Sequence, residues 1–453
     1  MSAFAVGMLA LLAIVPRSPL FSQESATPAD PEISAILKSV SPGQTRADIE
    51  KLAGFGTRAT LSAQDSAAVR SGRGIGAARE WIRSQFESYS QDCGGCLEVK
   101  TDSFTEPAAE RIPQPTQITN VYAVLKGTAE PERMVTVTGH YDSRNSGALD
   151  STGNAPGAND DASGTAVSLE CARVLSHHKF PATIIFLAVA GEEQGLNGSK
   201  HFAQMARQQG WNLEAVLNND IVGGDRSPQQ DFSVVRVFSE GVPAAANEQE
   251  LRTIRSLGGE SDSRSRELAR YIADVAGTYD VGLKPELIFR LDRYLRGGDH
   301  YSFNQQGFAA IRLSEYRENY DHQHQNVRTE NGIEYGDLPK FVNFDYVANV
   351  ARLNAAVLAS LASGPPPPSN VRLLTKELQN DSTLTWDASS GGRAIAYEVL
   401  WRATSSPNWE HGQSVGNVTR ATLPVSKDNV IFAVRAVDQT GHRSLPVVPV
   451  PER

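Results

Sequence analysis

Residues 182–190 read Ala-Thr-Ile-Ile-Phe-Leu-Ala-Val-Ala, and Gly191-Glu192-Glu193 follows at once. A continuous apolar run with β-branched residues reads as a strand buried on both faces. Such strands belong to parallel sheets covered by helices on either side, so the segment commits the chain to an α/β domain. Two adjacent carboxylates at the carboxyl end of that strand have no packing role there. They stand at the rim of the sheet, where open α/β folds place their sites. A lone Glu-Glu pair is usually a solvated surface pair. This one follows a buried strand and is accompanied by further candidates.

Met134-Val-Thr-Val-Thr-Gly139-His140-Tyr141-Asp142 repeats the pattern. Residues i and i+2 of an extended chain point the same way, so Asp142 can reach the His140 imidazole and fix its tautomer. Alone, this is more often a strand-end histidine followed by a turn aspartate. Pro156-Gly-Ala-Asn-Asp160-Asp161-Ala-Ser163-Gly164 is a polar loop feeding a helix at Ala166–Leu175. Either aspartate could cap that helix or bridge two metals. Val216-Leu-Asn-Asn-Asp220 ends another apolar segment before Gly223-Gly224, where a turn residue is the plain alternative. The stretch Tyr320-Asp321-His322-Gln323-His324 offers a late imidazole. Imidazole nitrogen and carboxylate oxygen suit a divalent zinc, and a catalytic site leaves room for water. Two zincs need one bridging carboxylate and separate ligands for each ion. Of the adjacent glutamates, one can bind metal and the other take the proton of water.

The blocks Gly139-His140-x-Asp142, Asp160-x-x-Ser163-Gly164, Glu192-Glu193, Asp220-Ile221 and a late His resemble the co-catalytic di-zinc exopeptidases. That family includes secreted bacterial leucyl-type aminopeptidases and glutamate carboxypeptidases. The likeness covers about residues 30 to 362. It implies a mostly parallel mixed sheet with helices on both faces and two Zn2+ per chain. It implies one zinc on His140 and Asp220, Asp160 as the bridge, and the second zinc on Glu193 and a late His. Glu192 is then the general base, Asp142 orients His140, and Asp299 of Gly298-Asp299-His300-Tyr301-Ser302-Phe303 supports the site. The family shows Tyr-His with an acidic residue four places on. Here Asn326 stands four after His322 and Arg328 four after His324, so spacing favours His322 and leaves His324 open. The family's oxyanion-stabilising tyrosine has no match, and Tyr320, Gln323 or a zinc would take its role.

The implied activity is release of N-terminal amino acids from a peptide or protein substrate with a free N-terminus. A carboxypeptidase of the same fold would use Arg293, Arg296 or Arg317 for a C-terminal carboxylate. A glutaminyl cyclase-like transferase would need one zinc, and a zinc-binding adhesion protein would need no base at Glu192. A net charge of −9 without a basic run argues against a nucleic-acid partner. The short apolar stretch Ala3–Val15 reads as a signal peptide within residues 1–26, which implies a secreted or periplasmic protein with no stable membrane span in its mature form. Cys93 and Cys96 then form a local disulfide, and Cys171 is a buried thiol.

Residues 27–363 form the peptidase domain on this reading, with a polar, irregular insertion at 225–263 near the site mouth. Residues 364–369 form a stiff Pro-rich linker. Residues 370–453 alternate as strands of an all-β sandwich. Trp386, Tyr397-x-Val-x-Trp401-Arg402 and Val434-Arg-Ala-Val-Asp438-x-x-Gly441 resemble a fibronectin type III domain, with Trp386 and Tyr397 as core residues. Its partner is not legible.

Overall fold

The computed structural model describes residues 29–376 and 378–452. The expected signal peptide lies outside them. Among the described residues, no helix is long and apolar enough to cross a membrane.

Helices α1 (Pro31–Lys38), α2 (Pro42–Ala53), α3 (Ser66–Ser71) and α4 (Ile75–Asp92) lead into strands β1 (Leu97–Glu106), β2 (Thr116–Leu125) and β3 (Glu130–His140). Helix α5 (Ala162–Leu175), β4 (Ala182–Val189), α6 (Asn197–Gln208), β5 (Asn212–Asn219) and β6 (Val234–Ser239) come next. Then follow α7 (Glu248–Leu257), α8 (Arg264–Thr278), β7 (Lys284–Ile288), α9 (Asp299–Gln305) and β8 (Ala310–Glu315). A hairpin of β9 (Arg328–Glu330) and β10 (Ile333–Tyr335) precedes the long helix α10 (Phe344–Ser363). The eight strands β1 to β8 form one sheet in the order β1-β2-β4-β3-β5-β8-β6-β7. Its middle, β4-β3-β5-β8, is parallel, and antiparallel pairings join β1 and β2 on one side and β6 on the other.

The reason for this sheet is visible in β4. Ile184, Phe186 and Ala188 enter the core beneath α5 and α10, while Ile185, Leu187 and Val189 enter the core beneath α6 and α9. Side chains alternate across a strand, so a strand apolar at every position must be covered twice. The helices answer with one-sided patterns. In α4, Ile75, Ala78, Ile82, Phe86 and Tyr89 are buried, the three-and-four spacing of one helix face.

Two expectations need correction. The 225–263 segment is not an irregular insertion. It holds β6, where Val235 and Val237 are buried, and α7, closed by a capping box of Asn247 and Glu250. Its many polar residues reflect the exposure of α7, which buries none of its side chains. The Pro-rich stretch is not a free spacer either. Pro365, Pro366 and Pro368 are buried, and the Pro366 carbonyl accepts a 2.6 Å hydrogen bond from Ser389 Oγ. The 320–324 segment forms a turn, in which His322 and Gln323 both donate their amides to the Asn319 carbonyl.

Beyond α10 stand two sheets. One holds β11 (Ser369–Leu374), β12 (Ser382–Asp387), β15 (Arg420–Leu423) and β17 (Val450–Glu452); the other holds β13 (Ala394–Ala403), β14 (His411–Gly416) and β16 (Val430–Asp438). Trp386, Tyr397, Val399 and Phe432 meet in the core between them. The sandwich is joined to the larger domain by buried charge. Glu130 of β3 takes both Arg133 and Arg393, and Arg133 also reaches Glu214 at 2.9 Å and the Gly364 carbonyl at 3.0 Å. Cys93 and Cys96 are disulfide-bonded and Cys171 is a buried free thiol.

Candidate metal centre

The carboxyl edge of the parallel strands supplies the site. His140 ends β3, Glu192 and Glu193 follow β4, and Asp220 follows β5. Strand β4 lies on one side of β3 and β5 on the other, so the winding reverses here. Open α/β sheets form a crevice at such a point.

Two trios of donor atoms converge, each within 4.8 Å: His140, Asp160 and Asp220, and Asp160, Glu193 and His324. Asp160 belongs to both. Its Oδ1 lies 3.2 Å from His140 Nε2 and its Oδ2 lies 2.9 Å from His324 Nε2. Asp220 Oδ1 is 3.9 Å from His140 Nε2, and Glu193 Oε1 is 2.9 Å from His324 Nε2. Ligands of a tetrahedral zinc at about 2.0–2.2 Å stand roughly 3.3 Å from one another. The imidazole-to-carboxylate distances, 2.9 to 3.9 Å, bracket that spacing. Glu193 Oε1 and His324 Nε2 are buried and face each other without the angles of a hydrogen bond, as donors aimed at a common third atom would. Carboxylate and imidazole are the donors a divalent zinc takes, so the residues fit the metal.

His140 is oriented from behind. Its Nδ1 faces the Asp142 backbone carbonyl at 3.1 Å and the Asp142 carboxylate at 3.5 Å. A carbonyl can only accept, so the neutral imidazole carries its proton on Nδ1 and leaves Nε2 free toward Asp160. The Asp142 carboxylate accepts from Thr60 Oγ1 at 2.8 Å and from the Glu192 and Glu193 amides at 3.3 and 3.2 Å. One side chain thus ties the end of β3 to the end of β4.

Asp160 and Asp161 divide their work. The peptide bond between them is cis. Asp161 accepts from the Gly164, His140 and Ile221 amides, which makes it the helix cap and loop clasp. Asp160 faces the trios, and its amide donates to Asp337 Oδ2 at 2.7 Å. Ile221, directly after Asp220, and His324 both adopt left-handed backbone, with φ of 60° and 56°. That region is costly for a side chain, most of all a β-branched one, and clusters at functional sites.

His324, rather than the His322 that spacing favoured, joins the cluster. His322 Nδ1 pairs with Asp225 at 2.5 Å and its ring stacks on Phe341. The turn sends the two rings to different partners, His322 to Asp225 and His324 to Asp160 and Glu193. Gln323 donates to Asp160 Oδ2 at 2.9 Å. Tyr320 lines the cleft. Asp299 is fully buried with neither carboxylate oxygen hydrogen-bonded. Burial pushes it up to about 7 against the opposing pull of His140.

Charge accounts for the rest. Burial would strip the proton from His140, but Asp142, Asp160 and Asp220 outweigh it and raise its pKa well above the usual range. Burial likewise opposes protonation of His324, and Glu193 and Asp160 raise it to about 10. Carboxylates this crowded demand positive charge, which a bound dication supplies with neutral imidazoles. Glu192 belongs to neither trio. It lines a cleft of about 630 Å³, and burial pushes its carboxyl well above the usual range, with His140 opposing and Glu193 reinforcing the shift.

Several contributors were not legible in sequence. Arg312, fully buried on β8, reaches Asp220 Oδ1 at 2.9 Å and Asp292 Oδ2 at 3.1 Å. Asp337 holds the Asn159 and Asp160 amides from 178 and 177 residues away. No local pattern announces such contacts.

A probable zinc metalloprotease of Pyrenophora tritici-repentis is 46% identical over 429 residues, covering 94% of this chain and 88% of that protein. Another, of Leptosphaeria maculans, is 46% identical over 93% of this chain and 97% of that protein. Among solved structures, LapB of Legionella pneumophila aligns with a TM-score of 0.53 at 21% identity, over 76% of this chain and 78% of that one. The LapA aminopeptidase of the same organism aligns with a TM-score of 0.51 at 20% identity, over 77% and 78%. At that identity the two show a shared fold. The sequence profile of Peptidase family M28 matches residues 120–342, across every residue of both trios, and this chain belongs to that family.

Proposed function

We propose that the chain is a zinc aminopeptidase that uses two metal ions, one in each trio, with Asp160 between them. The observation that carries this reading is the division of the Asp160 oxygens, Oδ1 toward His140 and Oδ2 toward His324. The relatives named as zinc metalloproteases support the choice of metal. His140, Asp160 and Asp220 would hold one ion, and Asp160, Glu193 and His324 the other. Bound zinc supplies Lewis acidity toward the scissile carbonyl and lowers the pKa of water. Glu192 accepts the proton of the attacking water and returns it to the departing amine nitrogen. Asp142 keeps the His140 tautomer fixed and the Glu192 backbone in place. The crowded carboxylates give a substrate α-ammonium group an anionic partner. A one-metal cyclase is disfavoured by the second complete trio.

We also read the apolar N-terminal stretch Ala3–Val15 as an export signal. The Cys93–Cys96 disulfide supports an oxidising compartment, secreted or periplasmic. The two-sheet C-terminal domain fits a fibronectin type III-like module.

The test is a pair of short peptides that differ only in an N-acetyl group, with products identified by mass spectrometry. The free peptide should lose its N-terminal residue, the acetylated one should stay intact, and chelation should abolish release. Cleavage of the blocked peptide at its C-terminus would make the enzyme a carboxypeptidase instead.

A further inference from the structure

The metal-facing cleft has a second character. Arg111, Arg144, Arg293 and Arg296 line it together with the carboxylates of the two trios. The carboxylates have metals to hold; the arginines have too few anions of their own. Glu318 illustrates this. Its Oε2 takes both Arg293 at 2.7 Å and Arg296 at 2.9 Å, while its Oε1 takes Arg236 at 3.0 Å. One carboxylate serves three guanidinium groups. Asp292 gives no relief, because it is shared by Arg293 and the buried Arg312.

Glu318 is almost fully buried and Arg293 nearly so, whereas the Arg296 side chain is 33% exposed. Its neighbour Leu295 is left-handed and fully exposed, so the loop projects Arg296 where a ligand can reach it. Glu318 is the one acidic group paired with Arg296 among the described residues, and a guanidinium has five donors in a planar fork. The fork matches a carboxylate, and the buried Glu318 holds it in advance.

We propose that Arg296, steadied by Glu318 and Arg293, is a specificity residue that binds a carboxylate of the substrate. This rests on the peptidase reading above and narrows it to short peptides carrying a free carboxylate near the scissile bond, at the C-terminus of a di- or tripeptide or on an acidic side chain. Once the trios are charge-balanced by metal, one Glu318 carboxylate against Arg236, Arg293 and Arg296 leaves the cleft with uncompensated positive charge, which selects for anions.

The experiment measures kcat/KM for tripeptides as free acids and as C-terminal amides, and for Asp and Glu peptides against Asn and Gln. Wild-type protein and the Arg296→Ala and Arg296→Lys variants are compared. Wild type should favour the carboxylate partner by about 10- to 100-fold, carried in KM, which is the scale of a charge-assisted hydrogen bond. Arg296→Ala should bring that ratio close to one, and Arg296→Lys should fall between. Loss of preference on C-terminal amidation identifies the terminus as the ligand, and loss on Asp-to-Asn exchange identifies the side chain; either supports the proposal. Calorimetric binding of the same peptides to Glu192→Gln separates the two readings. Arg296-dependent binding without hydrolysis by wild type would sink the peptidase reading and keep the carboxylate site. Hydrolysis with no carboxylate preference, or a preference untouched by Arg296→Ala, would overturn the carboxylate site alone.

Discussion

Asp160, in the loop before α5, and Glu192, just past β4, line one cleft and have opposite duties. Asp160 is enclosed by imidazoles, and although burial opposes ionisation, His324 and His140 hold its carboxyl well below the usual range. It is built to stay anionic and hold metal. Glu192 has no comparable partner and faces the cleft. Glu192→Gln should therefore keep its metal, measured by elemental analysis, while kcat falls by roughly two to four orders of magnitude, the scale of a general base. An unchanged kcat would remove Glu192 from the mechanism. Residue-scale reading of sequence reached His140, Asp160, Glu193 and Asp220, because each ends an apolar strand or begins a helix and stands out against its neighbours. It favoured His322 on spacing and left His324 open, because the choice between them is made by a turn and a left-handed φ. Two polar residues apart in a polar stretch carry no signal of that.

Element by element, His140, Glu193 and Asp220 are placed by strand ends, whereas Asp160 sits in the loop before α5 and is held by contacts from distant segments. That support comes from Asp337, just past the β9–β10 hairpin. Its two oxygens accept the Asn159 and Asp160 amides at 2.8 and 2.7 Å. Arg58 clamps the same loop through the Pro156 and Gly157 carbonyls at 2.5 and 2.9 Å. Asp337→Ala removes an acceptor from two buried amides and frees Asp160 to turn. Metal affinity in chelator competition should drop by about 10- to 100-fold, as when a partner behind a ligand is lost. Retained affinity would mean the loop is set by Arg58 and Asp161 alone. The strands and helices themselves were largely legible, since β4 is apolar throughout and α4 repeats at helical spacing. β6 and α7 were hidden by polar composition: capping and edge placement, rather than a hydrophobic pattern, define α7.

At the scale of the whole molecule, the catalytic and β-sandwich domains share a charged seam. Arg133 lies between Glu130 and Glu214 with side chains 5 to 8% exposed, and Glu130 reaches across to Arg393. A second contact joins Trp409 Nε1 to Glu267 at 2.9 Å and Arg270 to the Pro407 carbonyl at 2.6 Å. Removing one member of a buried ion pair leaves the other uncompensated, at a cost of about 3–5 kcal/mol. Arg133→Ala should lower unfolding free energy by that amount in denaturant melts, and a loss under 1 kcal/mol would show that the seam is solvated. The sequence foretold the sandwich from its alternating strands, but nothing in it told that the prolines would be buried in the joint. The proposed centre depends on two ions held through Asp160. Elemental analysis of purified wild type, His324→Ala and His322→Ala tests it directly. Two zinc equivalents in wild type, about one in His324→Ala and two in His322→Ala are predicted. One equivalent in wild type, or a loss in His322→Ala that His324→Ala does not show, would contradict it.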